Sequence, residues 1–147
     1  AAGGGGQLAL AADLRVVAPG GVFAVPVVKV GLALDNWTIK RLANVVGGGH
    51  ARSVLMTARP VGAEEAARIG LANEIGGLDT AMELAAEIAR FAPLSLRHIK
   101  SVINDDDARL LPREEHTELQ QLAWHSEDMA EARAAREEKR PPVFRGR

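Results

Sequence analysis

Hydrophobic positions change period along the chain and divide it into a short mixed region and a long helical one. Gln7 to Ala12 is almost wholly apolar and reads as a short buried helix. Leu14 to Ala18 (LRVVA) is β-prone and stops at the turn cluster Pro19-Gly20-Gly21. Phe23 to Val30 (FAVPVVKV) reads as a second short extended piece, which Pro26 keeps out of a central strand position. From there the spacing is helical. Ile39, Leu42, Ala43 and Val46 fall at i, i+3, i+4 and i+7, and Gly47-Gly48-Gly49 stops that helix. Ala51, Val54, Leu55 and Ala58 repeat the spacing before Pro60.

The same signals continue to the end. Ala63 to Ile69 forms a short helix with Gly70 at its stop, and Thr80 with Glu83 has capping-box spacing before the face Ala81, Leu84, Ala85 and Ile88. Pro93 opens a helix carrying Leu96, Ile99 and Ile103. Asp105-Asp106-Asp107 breaks the pattern as an exposed loop, and Pro112 opens a helix through Leu119 and Leu122. Ser126 is placed to N-cap a last helix that ends before Pro141-Pro142. The expectation is one or two strands followed by about six helices, with no repeat of fixed period and no low-complexity tract.

Composition narrows the function classes. The 147 residues, 47% hydrophobic and 25% charged, suit one soluble domain. The absence of cysteine excludes disulfide scaffolds, Cys-based zinc sites and thiol nucleophiles. No apolar run is long enough for a membrane span and no export signal is visible, so a cytoplasmic location is expected. A net charge of -1 argues against a nucleic-acid partner. The charge is uneven, with six Lys/Arg against two Asp/Glu in residues 1–62 and twelve against seventeen in 63–147. That asymmetry fits either an anionic ligand near the first part or ordinary solvated helix faces. The opening AAGGGGQLAL enters a glycine turn directly, and the expectation is that a preceding segment has been lost.

Among candidate sites, the run Gly3 to Gly6 is the richest. Glycines ahead of a helix present bare N–H groups at its positive end, which suits an oxyanion or phosphate; a plain flexible turn is the alternative. The Lys-Ser/Thr of a nucleotide-binding P-loop is missing. His50, His98, His116 and His125 are scattered, with no metal-ligand spacing, so no metal is expected. The basic tail EKRPPVFRGR is either a surface tail or a docking segment.

Taken in order, AAGGGGQLALAADLRVVA, FAVPVVKVGLALDNWTIKRL, ARPVGAEEAARIGLANEI and HSEDMAEARAAREEKRPPVF resemble the second half of the crotonase (enoyl-CoA hydratase/isomerase) family over nearly the whole chain. The resemblance implies an α/β fold, a ClpP/crotonase-like ββα spiral of which this chain holds the last part and the C-terminal helical cap. Residues 1–62 would end the spiral core and 63–147 would form the cap and oligomerisation region, in a homotrimer or hexamer. The family's N-terminal half, with one oxyanion-hole N–H and much of the adenine site, would be absent, so the isolated chain should not fold to a stable monomer. The implied ligand is a fatty acyl-CoA or enoyl-CoA. Coenzyme A is then part of the ligand and no separate cofactor is expected.

The resemblance also places site residues. The oxyanion donor falls on Gly4, with Gly3 and Gly5 permitting close approach of the thioester. Two preorganised donors would stabilise the enolate-like charge that develops there by several kcal/mol. The two glutamates that handle water in hydratases fall on Gln7 and Val27. Gln7 cannot accept a proton at neutral pH and Val27 can form no hydrogen bond, and each proton-transfer group is worth about 10² to 10⁴-fold in rate. Asp35, in GLALDNW, lies where some isomerases of the family carry a single acid; a loop or cap aspartate is the other reading. Leu34, Asn36 and Trp37 depart from the family pattern around it. Val25, Val27, Leu32, Leu34 and Trp37 are the expected lining of an acyl channel. These departures most resemble the non-hydrating, acyl-CoA-binding crotonase homologues of mycolic-acid-producing actinobacteria. The expected function is acyl-CoA binding in fatty-acid and lipid metabolism without hydratase activity. An active enoyl-CoA hydratase, or a 3,2-enoyl-CoA isomerase using Asp35, is the alternative.

Overall fold

Local sequence signals set most helix ends, while the strands depend on partners far along the chain. The structure is a computed structural model that describes residues 1–105 and 114–147. Two compact units divide after Glu83. The reason is strand pairing: both strands beyond Val61 return to partners in the first quarter of the chain.

In residues 1–83, helix α1 spans Gly4–Ala11 and starts earlier than the apolar pattern suggests. Gly3 is its N-cap in a left-handed conformation (φ 54°), which glycine adopts without the Cβ penalty. The helix is half-buried rather than wholly buried: Gly6 and Leu10 face the core while Leu8 is 76% exposed. A Cβ on Gly6 would sit 3.2 Å from the Phe23 ring, so the close approach of α1 to Phe23 favours glycine there.

Strand β1 (Val16–Val17) pairs in parallel with β4 (Glu74–Ile75), and β2 (Val22–Phe23) pairs antiparallel with β3 (Val61–Gly62). The expected extended piece Phe23–Val30 holds through Ala24, which bridges in parallel to Ala2, and is corrected from Pro26 on. Pro26 (φ -83°, ψ 24°) instead starts a 3-10 turn over Val27–Val30, closed by Gly31 in a left-handed conformation. Helix α2 runs Asn36–Thr57 and is broken in direction at Gly47 (φ 77°, ψ 153°). The glycine triplet thus interrupts the helix as expected, but the chain resumes helix at once. Leu42 and Val46 before the kink and Ala51 and Val54 after it all reach one core, with Leu10, Phe23, Val25 and Val61.

Helix α3 (Ala63–Arg68) ends ahead of Gly70, whose φ of 79° supplies the left-handed stop. Helix α4 spans Leu78–Ile88, so Thr80 lies inside its first turn and does not cap it, a correction to the expected capping box. Ala81, Leu84 and Ile88 are only half-buried and Ala85 is exposed.

In residues 84–147, helix α5 spans Pro93–Ile103 with the proline at its start, as expected. Its buried residue is Leu94; Ile99 and Ile103 of the expected core face are exposed. Helix α6 spans Glu114–Trp124 and α7 spans Glu127–Glu137. The expectations at Asp106, Asp107 and Pro112, and at the side chains of His116 and Leu119, lie outside the described residues. Ser126 caps α7 by accepting from the Met129 N–H at 3.1 Å.

The basic tail folds back on α7. Asp128, 3% exposed, accepts from the N–H groups of Arg145 (2.6 Å) and Gly146 (2.7 Å). Glu131 receives the Arg140 guanidinium with both carboxylate oxygens and the Val143 N–H at 2.9 Å. The tail therefore docks within its own unit.

Candidate functional site

The first turn of α1 leaves one donor unused. The Gly5 N–H donates to the Ala2 carbonyl at 3.1 Å, and those of Gly6 and Gln7 donate to the Gly3 carbonyl at 2.9 and 3.3 Å. Gly4 is the first helical residue, and its N–H has no acceptor inside the helix. A Cβ added at Gly4 or Gly5 would meet nothing within 4 Å. Packing inside the chain therefore does not require glycine at either position, although glycine in a helix costs about 1 kcal/mol relative to alanine. The far end of α1 is closed by cations: Arg41 Nε donates to the Leu10 carbonyl (2.9 Å) and Arg15 Nη1 to the Ala12 carbonyl (2.7 Å). Charge there complements the helix dipole whose positive end carries Gly4.

One turn after Gly4, Gln7 is committed to α2. Its Nε2 donates to Asp35 Oδ2 at 2.7 Å and to Thr38 Oγ1 at 3.0 Å. Asp35 is the N-cap of α2, with Oδ1 accepting the Thr38 N–H (2.9 Å) and Oδ2 accepting the Thr38 hydroxyl (2.7 Å). These donors, first the Thr38 hydroxyl and then its backbone N–H, with Gln7 adding to them, hold the Asp35 carboxyl below the usual carboxylate range. Thr38 is 1% exposed, so the cluster is anchored in the core. Sequence reasoning missed Thr38; the available signal was the Asp-x-x-Thr spacing of a helix cap.

The family model for enoyl-CoA hydratase/isomerase matches residues 1–147. The chain belongs to the enoyl-CoA hydratase/isomerase family. The probable enoyl-CoA hydratase echA6 of Mycobacterium tuberculosis is 53% identical over 146 residues, 99% of this chain and 60% of that protein. The carnitinyl-CoA dehydratase of Escherichia coli K12 is 35% identical over 155 residues, covering 99% of this chain and 59% of the relative. The crystal structure of enoyl-CoA hydratase EchA1 from Mycobacterium marinum superposes with a TM-score of 0.91 at 31% identity, covering 100% of this chain and 63% of that one. The fold is thus the crotonase fold, and the similarity to mycobacterial relatives is direct. The chain spans about 60% of the length of the curated relatives it matches.

Within this family member the expected acyl-channel residues separate. Val25 is 3% exposed and belongs to the core, with Val27 and Leu34 packed against it. Leu32 and Trp37 are 63% and 48% exposed. Gln7, Asp35 and Thr38 form one hydrogen-bonded cluster between α1 and the start of α2, Gly4 lies three residues before Gln7 in α1, and Val27 lies in the 3-10 turn that precedes α2. A cleft of about 590 Å³ elsewhere, between α7 and the tail, is lined by Glu127, Asp128 and Glu131 with Arg140 and Arg145. Three carboxylates make it a poor receptacle for a polyanionic CoA, and its position follows from the docked tail.

Proposed function

We propose that this chain carries the acyl-binding part of a crotonase-family protein of fatty-acid and lipid metabolism that holds fatty acyl-CoA without hydrating enoyl-CoA. The observation that carries this reading is the Gln7–Asp35–Thr38 cluster. A hydratase needs proton-transfer groups beside the thioester. The group at position 7 is an amide with both N–H bonds engaged, and Asp35, the carboxylate behind it, has its basicity lowered by the donors around it. Val27, at the other glutamate position, has no polar group to offer.

Gly4 supplies the free N–H for the thioester oxygen, and the open space at Gly4 and Gly5 is where the ligand approaches the backbone. Leu32, Leu34 and Trp37 offer apolar surface to the acyl chain, CoA enters as part of the ligand, and Gly3 sets the turn. Assembly as a homotrimer or hexamer and a cytoplasmic location belong to the same reading. The names of the relatives favour a second reading, an active hydratase or an isomerase using Asp35.

One assay separates the two. Full-length protein given 2-enoyl-CoA is expected to leave the conjugated thioester absorbance at its background rate, and to convert no 3-enoyl-CoA. Loss of that absorbance at the rate of an ordinary hydratase, or isomerisation abolished by Asp35→Asn, would establish the second reading instead.

A further inference from the structure

Asp35 fixes which way the Gln7 amide points. An ionised carboxylate can only accept, so the Gln7 group facing it must be the NH₂, and the two Nε2 hydrogens are spent on Asp35 Oδ2 and Thr38 Oγ1. What position 7 has left to offer a ligand is the carbonyl oxygen Oε1, an acceptor. The orientation is not free to reverse, because Asp35 is itself held by the backbone N–H and hydroxyl of the buried Thr38. Gln7 follows Gly4 by three residues, and such positions share a helix face roughly 5–6 Å apart. A thioester oxygen on the Gly4 N–H therefore brings the first carbons of the acyl chain within reach of Oε1.

We infer that Asp35 is a positioning residue that makes position 7 a hydrogen-bond acceptor, so that the site selects acyl-CoAs bearing a donor near the thioester over those bearing an acceptor there. This rests on the acyl-CoA-binding reading and adds to it the polarity of the ligand. A hydroxyl at C3 satisfies Oε1. A carbonyl at C3 meets a second acceptor and leaves both unpaired, which costs about tenfold in affinity. Asp35→Asn inverts the arrangement. The oxygen of the substituted amide still caps the Thr38 N–H, but its NH₂ now faces Gln7, whose Oε1 turns inward to accept and whose Nε2 turns toward the ligand.

The test is calorimetry on full-length protein with 3-hydroxyacyl-, 3-oxoacyl- and unsubstituted acyl-CoA of equal chain length. Wild type is expected to bind the 3-hydroxy ligand about tenfold more tightly than the 3-oxo ligand, and Asp35→Asn to reverse the order. Asparagine is as good an N-cap as aspartate, so a merely structural role would leave the ratio unchanged and move only the melting temperature. Gln7→Met, which keeps the length and removes the amide, is expected to bring the ratio to about one. Equal affinities in wild type, or the same ratio in Asp35→Asn, would overturn the inference while leaving acyl-CoA binding intact. Failure of all three ligands to bind would overturn the acyl-CoA reading and this inference with it.

Discussion

In residues 1–83 a set of apolar side chains converges on one core, while others, such as Leu8 and Leu32, stay exposed. Leu10, Leu42, Val54 and Val61 are at most 1% exposed and share one core with Phe23, Val25 and Val46. In residues 84–147 the buried apolar residues described are Leu94 and Ala135, while Ile103, Trp124, Ile99 and Leu122 are between 50% and 68% exposed. Beyond the packing of α5 on α6, directional polar contacts hold α7 and the tail: the Ser126 cap, the buried Asp128 gripping two tail N–H groups, and the Glu131–Arg140 pair. The first region is thus shaped by non-directional burial, proportional to area. In the second, α7 and the tail are held by directional bonds that fix geometry but add little net free energy each. Helices with uncovered apolar faces owe their stability to whatever packs on them.

The sharpest way to break this comparison is to truncate one leucine from each region in the full-length protein. Leu42→Ala is expected to cost about 2–5 kcal/mol, through lost burial and the cavity left behind. Leu122→Ala, at a position 50% exposed, is expected to stay within about 0.5 kcal/mol if its face meets water. Denaturant melts of the two variants decide it. A Leu122→Ala loss matching that of Leu42→Ala would mean that the α5–α6 face is covered by another chain or segment, and the contrast between the regions would vanish with it.

How far the sequence foretold this structure follows the same division between local and distant causes. Pro93 at the start of α5, Ser126 before α7 and Gly70 after α3 were legible, because each acts on the backbone within one turn of itself. The strands were only partly legible. Val16–Val17 is two residues long and is a strand because Glu74–Ile75 pairs with it, a partner no local pattern announces. The valines of Phe23–Val30 suggest an extended piece, but Pro26 (φ -83°, ψ 24°) leaves the extended region and N-caps a 3-10 turn over Val27–Val30. At the site, the family motif placed Gly4, Gln7, Val27 and Asp35 in order along the chain. That Gln7 bonds to Asp35 and Thr38, 28 and 31 residues away, depends on how α1 docks against α2, a tertiary fact with no sequence period. Asp35 as a cap was among the readings; Thr38 as its partner was not.

The cap of α7 gives a smaller and more local test. Ser126→Ala removes the acceptor for the Met129 N–H and is expected to cost about 1 kcal/mol. Because the second region has little core to share the loss, the effect should concentrate there. Amide hydrogen exchange in α7 should accelerate more than exchange in α2. Equal acceleration in both helices would mean that the two regions unfold as one cooperative unit, and that the cap stabilises the whole.

The smallest effect expected is the pH response of the tail clamp, since its ion pair is partly exposed to solvent and is screened by salt. The Arg140 guanidinium first, then the Val143 N–H, lower the Glu131 carboxyl from the ordinary 4.5 to about 2. A carboxyl depressed on folding contributes stability that is fully present above its unfolded value and is lost as pH falls through the folded one. The clamp should therefore hold down to pH 4.5 and release as the pH approaches 2. The Val143 N–H, 2.9 Å from Glu131 Oε1, is the reporter. Its amide proton shift should titrate with a midpoint near 2, and Glu131→Gln should abolish that titration while the Arg145 and Gly146 amides remain bound to Asp128. A midpoint near 4.5 would show that Glu131 is not engaged by Arg140 in solution. The tail would then be held by Asp128, the one carboxylate buried among the described residues, and by the bonds of Arg147 to Glu127 and to the Asp128 N–H.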